Sequence, residues 1–319
     1  MVAEVVVDVT YEELVANNLE LEDGMIYAAL GASGFAVISA ETREFEIISA
    51  PIGTSGVHDL AVAGGFLFTL DASGVGDLTV YDLTTPMDPE LVSGPVTVRV
   101  GPFAGVSAAG GRVCVSGGTG LLTVRSYTDL GVISTSSSTI DLGIGQPDVL
   151  LAADGETAYV STDFSGLVSG AGFGITLLEL DDPPGALTSL AQIGLAGAGF
   201  TGGFSFPANF PIESALLPDG DFVTAHGGGL SVIDPVAESV LGELDLSFDA
   251  VNVDTDGSTA FVVGTSRSIA EVDISDPDDP LLVSSESSAG SSAYLSVAVD
   301  AGTIALAPAG SPLEVLTRE

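Results

Sequence analysis

Seven tight glycine turns set the strongest limit on how this chain can fold. Gly24, Gly65, Gly111, Gly155, Gly220, Gly257 and Gly302 each sit between two short apolar runs, as in "LELEDGMIYAAL", "LAVAGGFLFTL" and "VNVDTDGSTAFVV". Asp–Gly and Gly–Gly between alternating runs are the strongest short-range signal for a β-hairpin. The turns are spaced 41, 46, 44, 65, 37 and 45 residues apart.

A second hairpin follows each of these. "IAEVDISDPDDPLLVS" (269–284) is matched by "LTVYDLTTPMDPELVS" (78–93) and "ITLLELDDPPGALTSL" (175–190), with looser copies at 35–49, 122–136 and 230–244. Asp and Pro preset the turn between the two strands. Asp276, Asp278 and Asp279 therefore read as turn formers before metal ligands. Four strands in about 40–45 residues is the period of a β-propeller blade.

The expectation is one all-β domain, 1–319, forming a seven-bladed β-propeller of four-stranded antiparallel blades. The blades fall near 18–56, 57–102, 103–146, 147–210, 211–247, 248–292 and 293–319. The last unit ends after three strands, and "AEVVVDV" (3–9) belongs to no unit. That N-terminal strand is expected to complete the last blade, so that no sheet edge is left open. Almost no helix is expected beyond a turn near 10–18.

Hydrophobic residues make up 46% of the 319 residues and charged ones only 16%, enough to build a core. The net charge of −38 comes from missing cations: the chain has six arginines and no lysine. Nucleic-acid binding needs clustered Lys and Arg, so that class is excluded, as is an anionic lipid surface. Strong like charge favours a soluble monomer. Cys114, the single cysteine, alternates with valines in "GRVCVSGG" and reads as a buried strand thiol. The opening residues show no basic leader, and the longest uncharged stretch, 183–212, is too rich in Gly, Pro and Ser for a membrane span.

The motif at Val272–Pro277, "VDISDP", with partial copies at Val80–Thr85 and Leu177–Asp182, resembles the LVIVD-repeat propellers, within the wider YncE-like and WD40-like superfamily. The resemblance implies the propeller fold and an extracellular, cell-surface or periplasmic setting. That family has no single activity, so no catalytic residue comes with it.

In propellers the first strand of each blade lines a central channel, and ligands usually sit over the channel's top mouth. Counting six and seven residues back from each turn glycine picks out Asn18, His58, Asp59, Asp148 and Glu213, with Asp249 one residue further back in its blade. Carboxylates converging there without a basic counter-ion would bind a cation or raise one another's pKa values. Asp59, Asp148 and Glu213 are the metal-ligand candidates, with Ca²⁺ the ion this oxygen-rich set suits. The competing reading is that these acids are solvated or hold turns. Of the two histidines, His226 in "TAHGGG" reads as structural.

Blade four is about 20 residues longer than its neighbours. The excess lies in 162–174 and 194–211, which carry Phe164, Phe173, Phe200, Phe204, Phe206 and Phe210. Exposed aromatics on glycine-flanked loops would make a partner-binding surface. Folded inward, the same side chains would plug the channel.

The chain has no Gly-x-Ser-x-Gly elbow, His-Glu-x-x-His, phosphate loop or dinucleotide fingerprint. The expected function is a binding scaffold that engages a protein or carbohydrate partner through its top face, with a divalent cation in reserve. The alternative is a metal-dependent, lactonase-like hydrolase using the same mouth.

Overall fold

The computed structural model describes residues 5–51, 54–71, 76–98, 105–117, 121–141, 149–163, 173–180, 187–194, 214–287 and 292–318. They form seven four-stranded antiparallel sheets, and in six of them the strands pair in sequence order. In the seventh, Val5–Tyr11 lies outside Leu313–Arg318, so the N-terminal strand completes the last blade. The fold is a seven-bladed β-propeller. No α-helix occurs among the described residues, only a 3₁₀ turn at Thr265–Arg267.

All seven repeat glycines sit at the first hairpin of their blade with positive φ, between +63° and +98°. That backbone region is nearly free for glycine and strained for other residues. The described Asp–Pro segments are turns, as expected, and that of 175–190 lies outside the described residues. Asp82, Asp234 and Asp273 end their blades' third strands, and each accepts a backbone N–H two residues on, at 2.6, 2.7 and 2.9 Å. In the segment that follows Asp273, Asp276 accepts from the Asp278 N–H.

Close contacts group the chain into two compact units, 1–28 with 39–43 and 195–319, and 29–38 with 44–194. In both units the core lies between blades. In the first, one cluster joins Val223, Val232, Val253 and Val272 of blades five and six, and another joins Phe261 and Val263 to Val297 and Leu306. In the second, Phe68 and Val80 pack on Val113 and Val115, and Cys114 and Val124 pack on Val160 and Leu178. Second strands are accordingly buried on both faces: all of Phe66–Asp71 and all of Phe222–His226 are inaccessible. Outer strands such as Leu281–Glu286 stay exposed. Cys114 is fully buried, which pushes its thiol pKa up and leaves it inert.

Candidate functional site

The first strand of a blade has no partner on its inner side, so the unpaired N–H groups of that strand and of the turn that follows it need acceptors. In this chain polar side chains of the preceding blade supply them. Within 44–194, Asp59 Oδ2 accepts the Val106 N–H at 2.7 Å and Ser107 Oγ accepts the Leu151 N–H at 3.0 Å. Within the other unit, Asn252 Oδ1 accepts from Val297, Asp254 Oδ2 from Val299, Asp256 Oδ2 from Gly302, Ser296 Oγ from Leu19 and Asp300 Oδ2 from Gly24. The donors and acceptors lie on neighbouring blades, so each bond also ties two blades together.

This belt takes up two of the residues selected from the sequence. Asp59 is buried, and its carboxylate is engaged with blade three. Burial pushes its pKa up to about 7, and N–H bonds from Val106 and Leu60 only partly offset the rise. Asn18 Oδ1 accepts from Ser296 Oγ at 3.4 Å. Half-buried Asp254, which was not selected, is raised to about 6 by desolvation, with the charges of Asp256 and Asp300 adding to the rise.

The remaining described candidates, His58 and Asp249, stand in different blades. His58 precedes the first strand of blade two, and its Nδ1 lies 3.7 Å from Asp71 Oδ1 at the end of the second strand. Asp71 Oδ2 accepts the Ser55 N–H at 2.6 Å. Asp249 contributes its carbonyl, which accepts the Thr265 N–H at 3.0 Å. Asp148 and Glu213 lie outside the described residues, as do Phe164, Phe200, Phe204, Phe206 and Phe210. Phe173 opens the third strand of blade four opposite Asp163. Among the described residues no group of three or more His, Cys, Asp or Glu is arranged to hold a metal ion. His226 is buried, with Nε2 2.9 Å from Ser231 Oγ, and burial lowers its pKa to about 4.

The structure also assembles a cluster that the sequence did not announce. The loop between the second and third strands of blade six carries two consecutive non-glycine residues at positive φ, Ser266 (+59°) and Arg267 (+49°). Such strain costs about 1–3 kcal/mol per residue and persists where the surroundings hold it. Here the Arg267 guanidinium lies 5.9 Å from the centre of the Tyr294 ring and 3.5 Å from Glu314 Oε1. Tyr294 Oη donates to Glu314 Oε2 at 3.0 Å. Desolvation first, and the Glu314 charge second, raise the Tyr294 pKa and keep the phenol protonated. Nothing in "GTSRSIA" signals a left-handed turn, because neither Gly nor Asn stands at the strained positions.

Arginine placement is the other feature missed. Arg112 of blade three donates to the Leu180 carbonyl of blade four, and Arg125 Nη2 reaches the Thr97 carbonyl of blade two at 3.3 Å. Arg267 spans blades six and seven, and Arg318 of blade seven pairs with buried Glu271 of blade six. Four of the six arginines are thus staples between blades. A planar guanidinium can bond several carbonyl or carboxylate oxygens at once, which the ammonium of lysine does less well.

No protein-family model and no curated protein matches the sequence. Among solved structures, the chain is similar to the WD40 β-propeller domain of Doa1, with a TM-score of 0.69 and 12% identity over 99% of this chain and 98% of that one. At that identity the likeness carries the fold alone.

Proposed function

We propose that the chain is a binding propeller of the LVIVD-repeat kind, secreted or displayed at a cell surface. It engages a protein or glycan partner through the blade ends that carry exposed Ser266 and half-buried Arg267, with the buried Tyr294 ring behind them. The observation that carries this reading is the strained Ser266–Arg267 loop, which holds a guanidinium beside a tyrosine ring at the end of blades six and seven. Arg is among the side chains most enriched where binding energy concentrates, and stored backbone strain gathers at such places.

A photo-crosslinking residue at exposed Ser266 tests this in the native cells, with one at Val236 as the comparison site. The expected result is a discrete adduct from 266, lost in Arg267→Ala, with the protein in the surface or secreted fraction. Adducts from 236 alone, or a strictly cytosolic protein, would sink the reading. A divalent cation near Asp148 and Glu213 belongs to the same proposal. An ion that binds only the native state raises the unfolding midpoint by mass action. Ca²⁺ should therefore raise the midpoint of chelator-treated protein beyond Mg²⁺ and NaCl controls of equal ionic strength, and Asp148→Asn with Glu213→Gln should abolish the rise.

A further inference from the structure

The turns that close the first hairpins differ along the chain. In blades one, five and six the residues before the turn glycine are Glu22–Asp23, Pro218–Asp219 and Thr255–Asp256, whereas in blades two to four they include Ala63, Ala108, Ala109 and Ala153. The small side chains leave space. A cavity of about 460 Å³ opens there, walled by these alanines and by Phe66 and Tyr127, with Asp129 at its edge. Its size falls within the usual range for small-ligand sites, roughly 300–1,000 Å³.

The walls are firmly built. The turns of blades three and four interlock: a Cβ on Gly110 would stand 1.9 Å from the Asp154 carbonyl oxygen. The Tyr127 ring packs on Phe66 and Phe68, with centroids 6.2 and 4.8 Å apart. The segment from Tyr127 to Val132 is pinned by Thr128, whose Oγ1 accepts the Leu130 and Val132 N–H groups at 3.3 Å. Gly131, at φ +72°, lies so close over Phe66 that a Cβ would meet its ring at 2.7 Å. This loop fixes Asp129 at the rim. Among the described residues Asp129 has no hydrogen-bond or ion-pair partner. Leu130, 75% exposed, and Val132, 48% exposed, lie on the same loop.

We propose that this cavity binds a guanidinium cation carried on an apolar stem, the stem against the alanines and aromatic rings and the cation on Asp129. Three features converge on that chemistry. The lining side chains are mainly alanines and aromatic rings, the half-buried Tyr127 ring is one on which a guanidinium stacks, and among the described lining residues the one charged group is the exposed Asp129 carboxylate. A net charge of −38 favours the approach of any such cation. The inference is independent of the Arg267–Tyr294 cluster, and failure of either leaves the other standing.

The test is a titration of the full chain with butylguanidinium, read by NMR at the Tyr127 ring, with butylurea as the neutral isostere. Saturable shifts with butylguanidinium and none with butylurea are expected. Asp129→Asn, on an exposed residue whose loss leaves the fold intact, should weaken binding about three- to fivefold, the range of an exposed ion pair. Glu46→Gln removes the same charge outside the cavity and should leave binding unchanged. Ala109→Leu, checked for folding by its unfolding midpoint, should abolish binding by filling the space. Acetyl-Gly-Arg-Gly-amide distinguishes the source. Binding at least as tight as butylguanidinium marks a partner's arginine side chain, and exclusion of the peptide marks a free small cation. Equal binding of butylurea, equal effects of the two charge variants, or absence of saturation would overturn the proposal.

Discussion

Replacing Asp59 with Asn removes a buried titration while keeping an oxygen for the Val106 N–H. In the native protein burial holds this carboxyl near pH 7 against an ordinary value of 3.8. Between those values the folded chain keeps a proton that the unfolded chain has released. Folding stability therefore falls as pH rises through this window and is flat above it. From pH 5.5 to 8.5 the native group passes through about 1.5 pH units of that slope, which amounts to about 2 kcal/mol. A chain of this length unfolds with an entropy of about 0.7 kcal/mol/K, so the effect corresponds to about 3 °C in midpoint. The assay is thermal unfolding of both proteins at pH 5.5, 6.5 and 8.5 at constant ionic strength. All other carboxylates cancel in the difference. The midpoint of Asp59→Asn should gain on wild type by about 3 °C as pH rises. A midpoint difference that stays constant with pH, or that moves in favour of wild type as pH rises, would refute the placement of an ionisable carboxyl in the belt between blades two and three.

Other expectations follow from the same contacts. His226, lowered to about 4, is neutral in the native state, so its contribution is present above pH 6.5 and is lost as pH falls. His226→Gln should remove about 2 kcal/mol of acid destabilisation between pH 6.5 and 5, measured as the change in midpoint slope. Gly110→Ala forces a Cβ against the Asp154 carbonyl and should lower stability by more than about 2 kcal/mol, whereas Gly257→Ala meets nothing within 4 Å and should cost only about 1 kcal/mol of backbone strain. Arg318→Ala leaves Glu271 buried without its cation and should cost about 1–3 kcal/mol, a partial share of a buried pair because Arg318 is 32% exposed. A double variant with Glu271→Gln should cost less than the two single changes added together, by thermal unfolding.

The sequence by itself determined the number of blades, the hairpin turns and the closing strand. Those features are local: a glycine at positive φ, an Asp that bonds two residues ahead, and strand runs with a fixed repeat length. The orphan strand at the start and the missing one at the end could be matched by counting alone. Asp59 shows where such reading stops. Its place beside His58 in the repeat is visible in the chain, yet whether its carboxylate faces solvent or a neighbouring N–H depends on a residue 47 positions away. The arginine staples, the strained loop at Ser266 and the cavity between Ala63 and Ala153 likewise depend on which blades are neighbours and how closely they approach. Backbone turns are set by a residue and its immediate neighbours, whereas burial, pairing and open space are set by the sum of distant surfaces, and only the tertiary structure decided those.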